Sequence, residues 1–146
     1  MDEVRASYTD CFAHSFDAKG RITVPSEWRE APFEKTLYIF PSKEKCVKVY
    51  PASWLGDLQR EVSKLKAADP QRKGVEDLAM TAQTAMFDGQ GRIMVKEKLR
   101  EGAGLKKDVM LVGRLDHFQI WDQETFEEKS VSADLTLEGV LEGIGR

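Results

Sequence analysis

The spacing of apolar and polar residues changes along the chain, and each spacing predicts a different element. Alternation with a period of two over residues 12–16 and 21–24 predicts two strands joined by a tight turn at 17–20. Apolar runs at 37–40 and 47–50 predict two more strands, because β-branched and aromatic residues favour sheets. With a short helical piece after Pro25, the first part of the chain is predicted to run strand, turn, strand, short helix, strand, loop, strand.

Helical spacing follows this group of strands. Four apolar residues recur at intervals of four, four and three, which places them on one face of a helix with Ser53 as the predicted N-cap. Asp69-Pro70 ends that helix, and a second helix is predicted over about 71–81. The apolar faces of these two helices either cover the sheet or make contacts between subunits. The four residues of the first face are Trp54, Leu58, Val62 and Leu65.

The stretch 16–30 returns as residues 87–101 at a constant offset of 71 residues. Two copies are too few for a solenoid and indicate one pseudo-symmetric domain built from two half-units. The second copy predicts the same order of elements, with strands at 84–87, 92–95, 109–112 and 118–121 and a closing helix from Gln123. The identical pairs are 16/87, 17/88, 20/91, 21/92, 22/93, 24/95, 29/100 and 30/101.

The predicted architecture is α+β and mainly β, with four parts. A first half-unit spans 11–53, a helical linker 54–81 and a second half-unit 82–126, while 127–146 contains the end of the closing helix and a weakly ordered tail. One half-unit alone is too small to bury a stable core. Two halves that share a core and interleave their hairpins leave few strand edges open.

Composition narrows the possible functions. The chain has 146 residues, 32% of them charged, and a formal net charge of -3, which argues against an indiscriminate cationic nucleic-acid binder but allows a local basic face. Cys11, Cys46 and the two histidines lack the spacing of a zinc site, so no metal or cofactor is expected. A Cys11–Cys46 disulfide is possible, although free thiols in a cytoplasmic protein are favoured. No leader or membrane span is expected.

The repeated arginines are the main candidates for functional residues. Packing explains the repeated apolar residues and turn geometry explains the glycines, but neither requires an arginine at both 21 and 92. A solvated ion pair with the neighbouring aspartate is one explanation. The other is DNA recognition, since the arginine fork suits phosphate and guanine. The candidate DNA-binding residues are Arg21, Arg92, Lys19, Arg29, Arg100 and Lys96, with Lys98 as a further phosphate contact, and the supporting turn residues are Asp17, Gly20, Asp88 and Gly91.

Three motifs together resemble the MraZ family: the stretch from His14 to Pro25, the second turn from Asp88 to Ile93, and the late strand 118–121. The resemblance covers about residues 8–127. It implies an AbrB-type β-barrel of the double-ψ or swapped-hairpin kind, with both half-units in one chain. It also implies a cytoplasmic, nucleoid-associated transcription factor. Such a factor binds direct repeats of double-stranded DNA upstream of the division and cell-wall gene cluster, as a homo-oligomeric ring whose many faces act together.

Three other functions are weighed against DNA-binding regulation. An antitoxin-like protein of the AbrB class, which binds a toxin and its own promoter, is the main alternative, and the tail after Ser130 is compatible with it. A purely structural ring is the second. An enzyme is disfavoured, because Asp17 and Asp88 lack the nucleophile or histidine partners that carboxylate chemistry needs, and no small-molecule substrate is expected.

Overall fold

A computed structural model of the chain describes residues 6–129 and 135–145. The first half forms the strands that the alternation predicts, with a 3-10 helix at Ser26–Trp28 after the second strand. Pro25 ends the second strand, because proline has no N–H to donate to a strand ladder. The strands are β1 (Cys11–Ser15), β2 (Arg21–Thr23), β3 (Thr36–Pro41) and β4 (Cys46–Pro51).

Two helices connect the halves, and the second half repeats the order of the first. α1 spans Ala52–Ser63 and α2 spans Pro70–Thr81, with Asp69 as N-cap of α2 through the N–H of Gln71, which donates to its carboxylate at 2.8 Å. The remaining elements are β5 (Gln83–Met86), β6 (Arg92–Met94), α3 (Glu97–Gly102), β7 (Asp108–Gly113), β8 (Phe118–Asp122), α4 (Gln123–Lys129) and α5 (Leu137–Gly143).

The two halves exchange strands. Six strands form one antiparallel sheet in the order β1-β7-β8-β4-β3-β5, so the first strand of each half pairs with the third strand of the other. β2 and β6 form a separate antiparallel pair. The protein is thus a mixed α/β protein built around its strands, as predicted. Within residues 6–129 and 135–145 the strand ladder ends at β1 and β5 and does not close into a barrel.

One core serves both halves. Ile22 and Ile93, each 1% exposed, face each other across the β2–β6 pair and join the buried residues of the large sheet. This cluster contains buried residues from every pair of strands that joins the two halves. Neither half therefore has a core of its own. The core also contains a group of aromatic rings in contact with one another, four from the first half and one from β8. They are Tyr8, Phe12, Trp28, Phe33 and Phe118.

The start of α1 differs from the prediction. Ser53 is not the N-cap, because the helix begins at Ala52 directly after Pro51, the last residue of β4. The first turn is instead satisfied from outside: the N–H of Ser53 donates to Glu34 Oε1 at 2.9 Å, and its hydroxyl donates to Oε2 of the same carboxylate. A carboxylate at a helix N-terminus accepts from amides that have no partner within the helix.

The first linker helix, α1, lies against the sheet. Trp54 of α1 packs on Tyr50, with ring centroids 3.9 Å apart, and meets the ring of Phe40 at 6.0 Å. The covering role is therefore observed for α1, and contacts between subunits stay a prediction. Both cysteines are free, as favoured above. No helix in the described part of the chain has the length and apolarity needed to cross a membrane.

The C-terminal tail contains a helix that the sequence analysis did not predict. Part of the expected weakly ordered tail, residues 130–134 and 146, lies outside the described residues. α5 begins after Thr136, whose hydroxyl accepts from the N–H of Gly139 at 3.1 Å. This side-chain cap supplies one of the missing partners at the helix start, so even a short helix forms there.

Candidate nucleic-acid interface

The first turn is built around one carboxylate oxygen. Asp17 Oδ1 accepts from the N–H groups of Lys19, at 2.9 Å, and Arg21, at 2.8 Å. The N–H of Gly20 donates to the carbonyl of Asp17 at 3.0 Å, and Gly20 has φ +78°. Only glycine adopts that backbone conformation readily, so Asp17 and Gly20 together determine the shape of this turn.

The second turn has the same geometry. Asp88 Oδ1 accepts from the N–H groups of Gln90 and Arg92, both at 2.9 Å. The N–H of Gly91, at φ +75°, donates to the carbonyl of Asp88 at 3.1 Å. The repeat in sequence is therefore a repeat in structure, down to the same oxygen atom of each aspartate.

Arg21 and Arg92 lie on one face of the β2–β6 pair. The pair centres on Ile22 opposite Ile93, and both isoleucines point into the core. Because side chains alternate between the two faces of a strand, the residues on either side of each isoleucine point outward together. The strands thus bring the arginines of both repeats to a common surface, at diagonal positions.

Two residues of this face were missed by the sequence analysis. Thr23 lies opposite Arg92, and Met94 lies opposite Arg21. Thr23 is exposed, and Met94 is an exposed apolar residue beside the charged groups. The alternation of each strand already placed them beside the arginines, but only the pairing of β2 with β6 shows that they complete one surface.

Aspartates hold the two guanidinium groups. Arg21 Nε donates to Asp17 Oδ2 at 2.7 Å, and Arg92 Nε donates to Asp88 Oδ2 at 2.9 Å. Arg92 Nη1 also lies 3.8 Å from Asp17 Oδ2, which links the two repeats. Among residues 6–129 and 135–145, neither arginine makes a hydrogen bond through its Nη nitrogens. The side chains are 33% and 25% exposed.

The aspartates stay ionised across the ordinary pH range. The N–H of Arg21, followed by its side chain and the N–H of Lys19, lowers the pKa of Asp17 to about 2. The N–H of Arg92 and then that of Gln90 lower the pKa of Asp88 in the same way. Each arginine charge is therefore offset by a fixed carboxylate, and the aspartates orient the guanidinium planes.

Arg29 lies against the turn of the other half. Its Nε donates to the carbonyl of Val24 at 2.7 Å, and its guanidinium covers Gly91, where a Cβ atom would lie 2.7 Å from Nε. The N–H of Val24 donates to the carbonyl of Gly91 at 3.0 Å. Arg29 thus fastens the end of β2 to the second turn.

Arg100 makes the reciprocal contact. Its Nε donates to the carbonyl of Val95 at 2.9 Å, and a Cβ atom on Gly20 would lie 2.9 Å from Nη2. The guanidinium carbon also lies 5.8 Å from the centre of the Phe16 ring. Each half therefore closes the turn of the other, which gives both glycines a second reason to lack a side chain.

The two lysines of the candidate set are exposed. Lys19 is in the first turn, and Lys96 follows β6, where its N–H donates to the side-chain oxygen of Gln83 at 3.0 Å. The structure thus brings Arg21 and Arg92 together, whereas Lys19 lies in the turn before β2 and Lys96 lies two residues beyond the end of β6. No group of His, Cys, Asp and Glu in the described ranges could hold a metal ion.

Comparison with known proteins identifies a family whose sequences this chain matches. The family model described as "MraZ protein, putative antitoxin-like" matches the chain twice, over residues 8–77 and 78–137. A protein of Finegoldia magna named transcriptional regulator MraZ is 29% identical over 134 residues, which are 91% of this chain and 93% of that protein. Proteins of the same name are 31% identical over 120 residues in Yersinia pestis, 79% of either chain, and over 134 residues in Escherichia coli, 88% of either chain.

Proposed function

The chain belongs to the MraZ family, and we propose that it is a transcriptional regulator, without catalytic activity, that binds double-stranded DNA with the outer face of β2 and β6. The observation that carries this is the placement of Arg21 and Arg92. Both are on one partly exposed surface, and both are oriented through Nε by an aspartate. The relatives named transcriptional regulators support the same conclusion.

The shape of this face suits the major groove. A two-stranded antiparallel ribbon fits the groove, and arginine can reach guanine O6 and N7 with two parallel hydrogen bonds. Holding Nε on a carboxylate leaves the Nη nitrogens for a base edge or phosphate. Lys19 and Lys96 supply sequence-independent phosphate contacts at the margins, with Lys98 as a further one.

Arg29 and Arg100 take a different part in this proposal. Their Nε atoms are bound to carbonyl groups and their guanidinium planes cover the glycines of the turns. They are positioning residues that keep the turn shape on which the orientation of Arg21 and Arg92 depends. Their charge adds to the local potential without requiring a direct contact to DNA.

The finer features of the family expectation belong to the same proposal. Strand exchange between the halves supports the AbrB-type swapped-hairpin class. A net charge of -3 makes a single face a weak binder, so we infer a homo-oligomeric ring whose faces bind direct repeats upstream of the division and cell-wall gene cluster together. Association with DNA would place the protein at the nucleoid in the cytoplasm.

The test is DNA binding by Arg21→Ala and Arg92→Ala, measured by fluorescence anisotropy on the promoter of the protein's own operon. Loss of a bidentate arginine contact costs about 1–3 kcal/mol, so affinity should fall about 5- to 150-fold. Arg60→Ala is the matched control, because that arginine is 72% exposed on α1 and should leave affinity unchanged. Affinity of the parent should also fall steeply with salt.

Two results would contradict the proposal. One is parental affinity in both arginine variants while they remain folded by circular dichroism. The other is a salt dependence that is flat in the parent protein, because phosphate contacts always release counterions. Promoter binding that is intact in Arg21→Ala and Arg92→Ala but lost on removing a co-purifying toxin would favour the antitoxin-like alternative.

A further inference from the structure

A groove lies between elements of both halves, and its walls include none of the residues on the outer face of β2 and β6. It has a volume of about 580 Å³ and lies between the end of α2, the loop from β3 to β4, and α3. Apolar side chains dominate its walls, and two lysines stand among them. The residues that define it are Cys46, Val47, Met80, Leu99, Lys96 and Lys98.

The equivalent place in the first half is filled. At the offset of 71 residues, three aromatic residues of the first half correspond to smaller or polar residues, two of which line the groove. Tyr8 and Trp28 are each 2% exposed, and their ring centroids lie 5.6 Å apart. The corresponding pairs are Trp28 with Leu99, Phe12 with Gln83 and Tyr8 with Ala79.

An extended arm of the chain completes the filled site. Tyr8 pairs with Leu115, each N–H donating to the other's carbonyl at 2.7 and 3.0 Å. The arm passes so close to Gly113 that a Cβ atom there would lie 2.7 Å from the Tyr8 carbonyl carbon. The counterpart of Gly113 is Ser42, a wall of the groove, and the counterpart of the arm is the end of α2. The second half therefore lacks the apolar segment that closes the first.

α5 has the character of that missing segment. Leu137, Val140, Leu141 and Ile144 follow at i, i+3, i+4 and i+7, which places them on one helix face. Leu137 is 70% exposed, Val140 52% and Ile144 64%, so this face has no cover of its own. Glu138 and Glu142 lie together along one side of it, and their charge is opposite to that of the two groove lysines.

The connection to α5 begins on the part of the sheet that borders the groove. α4 ends at Lys129, whose Nζ lies 5.6 Å from the centre of the Trp121 ring, and Trp121 is opposite Cys46 in the sheet. Cys46 is itself a wall of the groove. Five residues, 130–134, join α4 to the stretch before α5, and an extended chain of that length spans about 17 Å.

We propose that α5 docks its apolar face in the groove of its own chain, with Glu138 and Glu142 against Lys96 and Lys98. Docking would bury apolar surface that both partners now expose, and it would place the carboxylates beside the only charged groups of the groove wall within the described residues. It would also cover Lys96. The consequence for DNA rests on the proposed function: a docked tail withdraws the phosphate contacts of Lys96 and Lys98.

The test is zero-length carbodiimide cross-linking of the full chain, with the joined peptides identified by mass spectrometry. Links from Lys96 or Lys98 to Glu138 or Glu142 are expected in the parent, at a yield independent of protein concentration. Val140→Asp should lower that yield about tenfold, because it puts a charge on the docking face. Gly143→Asp adds the same charge where a Cβ atom meets nothing within 4 Å, and it should keep the parental yield.

A second variant tests the groove itself. Leu99→Trp restores the residue of the filled half, should occupy the groove, and should abolish the cross-link. Absence of the link in the parent, or a yield that rises with protein concentration, overturns docking within one chain. These readouts need no DNA, so they are independent of Arg21 and Arg92. The effect on DNA binding is measured separately. Val140→Asp, whose tail should not dock, should bind the promoter more tightly than Gly143→Asp, whose tail should still cover the lysines.

Discussion

The contacts by which Arg29 and Arg100 each cover a glycine of the other half can be tested by adding a single methyl group. In Gly91→Ala the new Cβ atom would overlap the guanidinium of Arg29, and the backbone would have to keep φ +75° with a side chain present. Left-handed backbone costs a residue other than glycine about 1–2 kcal/mol. Displacing Arg29 from the Val24 carbonyl removes a charged hydrogen bond, which is about 1.5–3 kcal/mol.

The expected loss is therefore about 2–4 kcal/mol in the free energy of unfolding, since the displaced arginine regains some contact with water. The measurement is equilibrium urea unfolding followed by tryptophan fluorescence, because Trp28 is buried in the shared core. Gly89→Ala is the matched control in the same turn. A Cβ atom there meets nothing within 4 Å, and a change within about 0.5 kcal/mol is expected.

A double-mutant cycle separates the backbone cost from the clash. In an Arg29→Ala background, Gly91→Ala should cost only the backbone part, giving a coupling free energy of about 1–2 kcal/mol between the two positions. Coupling near zero, or equal losses for Gly89→Ala and Gly91→Ala, would refute the assignment of Arg29 as a brace across the halves. Arg29 would then be free to serve as a direct DNA contact.

Two further predictions concern titrating groups. Because the pKa of Asp17 is lowered to about 2 and that of Asp88 is also lowered, their contribution to stability is complete above about pH 4, the ordinary carboxyl pKa, and is lost as pH falls toward 2. Urea midpoints between pH 2 and 5 should fall less steeply in Asp17→Asn/Asp88→Asn than in the parent, and equal slopes would contradict this. Burial raises the pKa of Cys46 to about 11, so iodoacetamide at pH 8 should label exposed Cys11 first; equal labelling rates in the folded protein would be inconsistent with that burial.

Local features of this chain could be predicted because local chemistry determines them. The turn at Asp17 follows from a carboxylate that accepts nearby N–H groups and a glycine that adopts positive φ, and neither depends on distant residues. The strands followed from alternation or from apolar runs for the same reason. The start of α1 could not be predicted, since the partner of Ser53 is Glu34, which the fold brings from nineteen residues away.

The pairing of elements required the third dimension. A repeat at offset 71 predicts that two halves exist but leaves open whether β1 pairs within its own half or with β7 of the other. The repeat also presents Arg21 and Arg29 as equals, because both recur. Only the contacts separate an arginine on the outer face from one that braces a turn. The difference between Trp28 and Leu99 was visible in the sequence, but its meaning depended on finding one site filled and the other open.

The crossed contacts make the candidate DNA face and the fold one cooperative unit. β2 needs β6 as its only strand partner among the described residues, and each turn needs the arginine of the other half to cover its glycine. A separated half would lose its strand pair, its brace and half of its core at once, and small units of that size are marginal even when intact. Two arginines at diagonal positions on one surface therefore follow from the strand exchange itself. Any change that loosens one half should disorder the candidate DNA face of both.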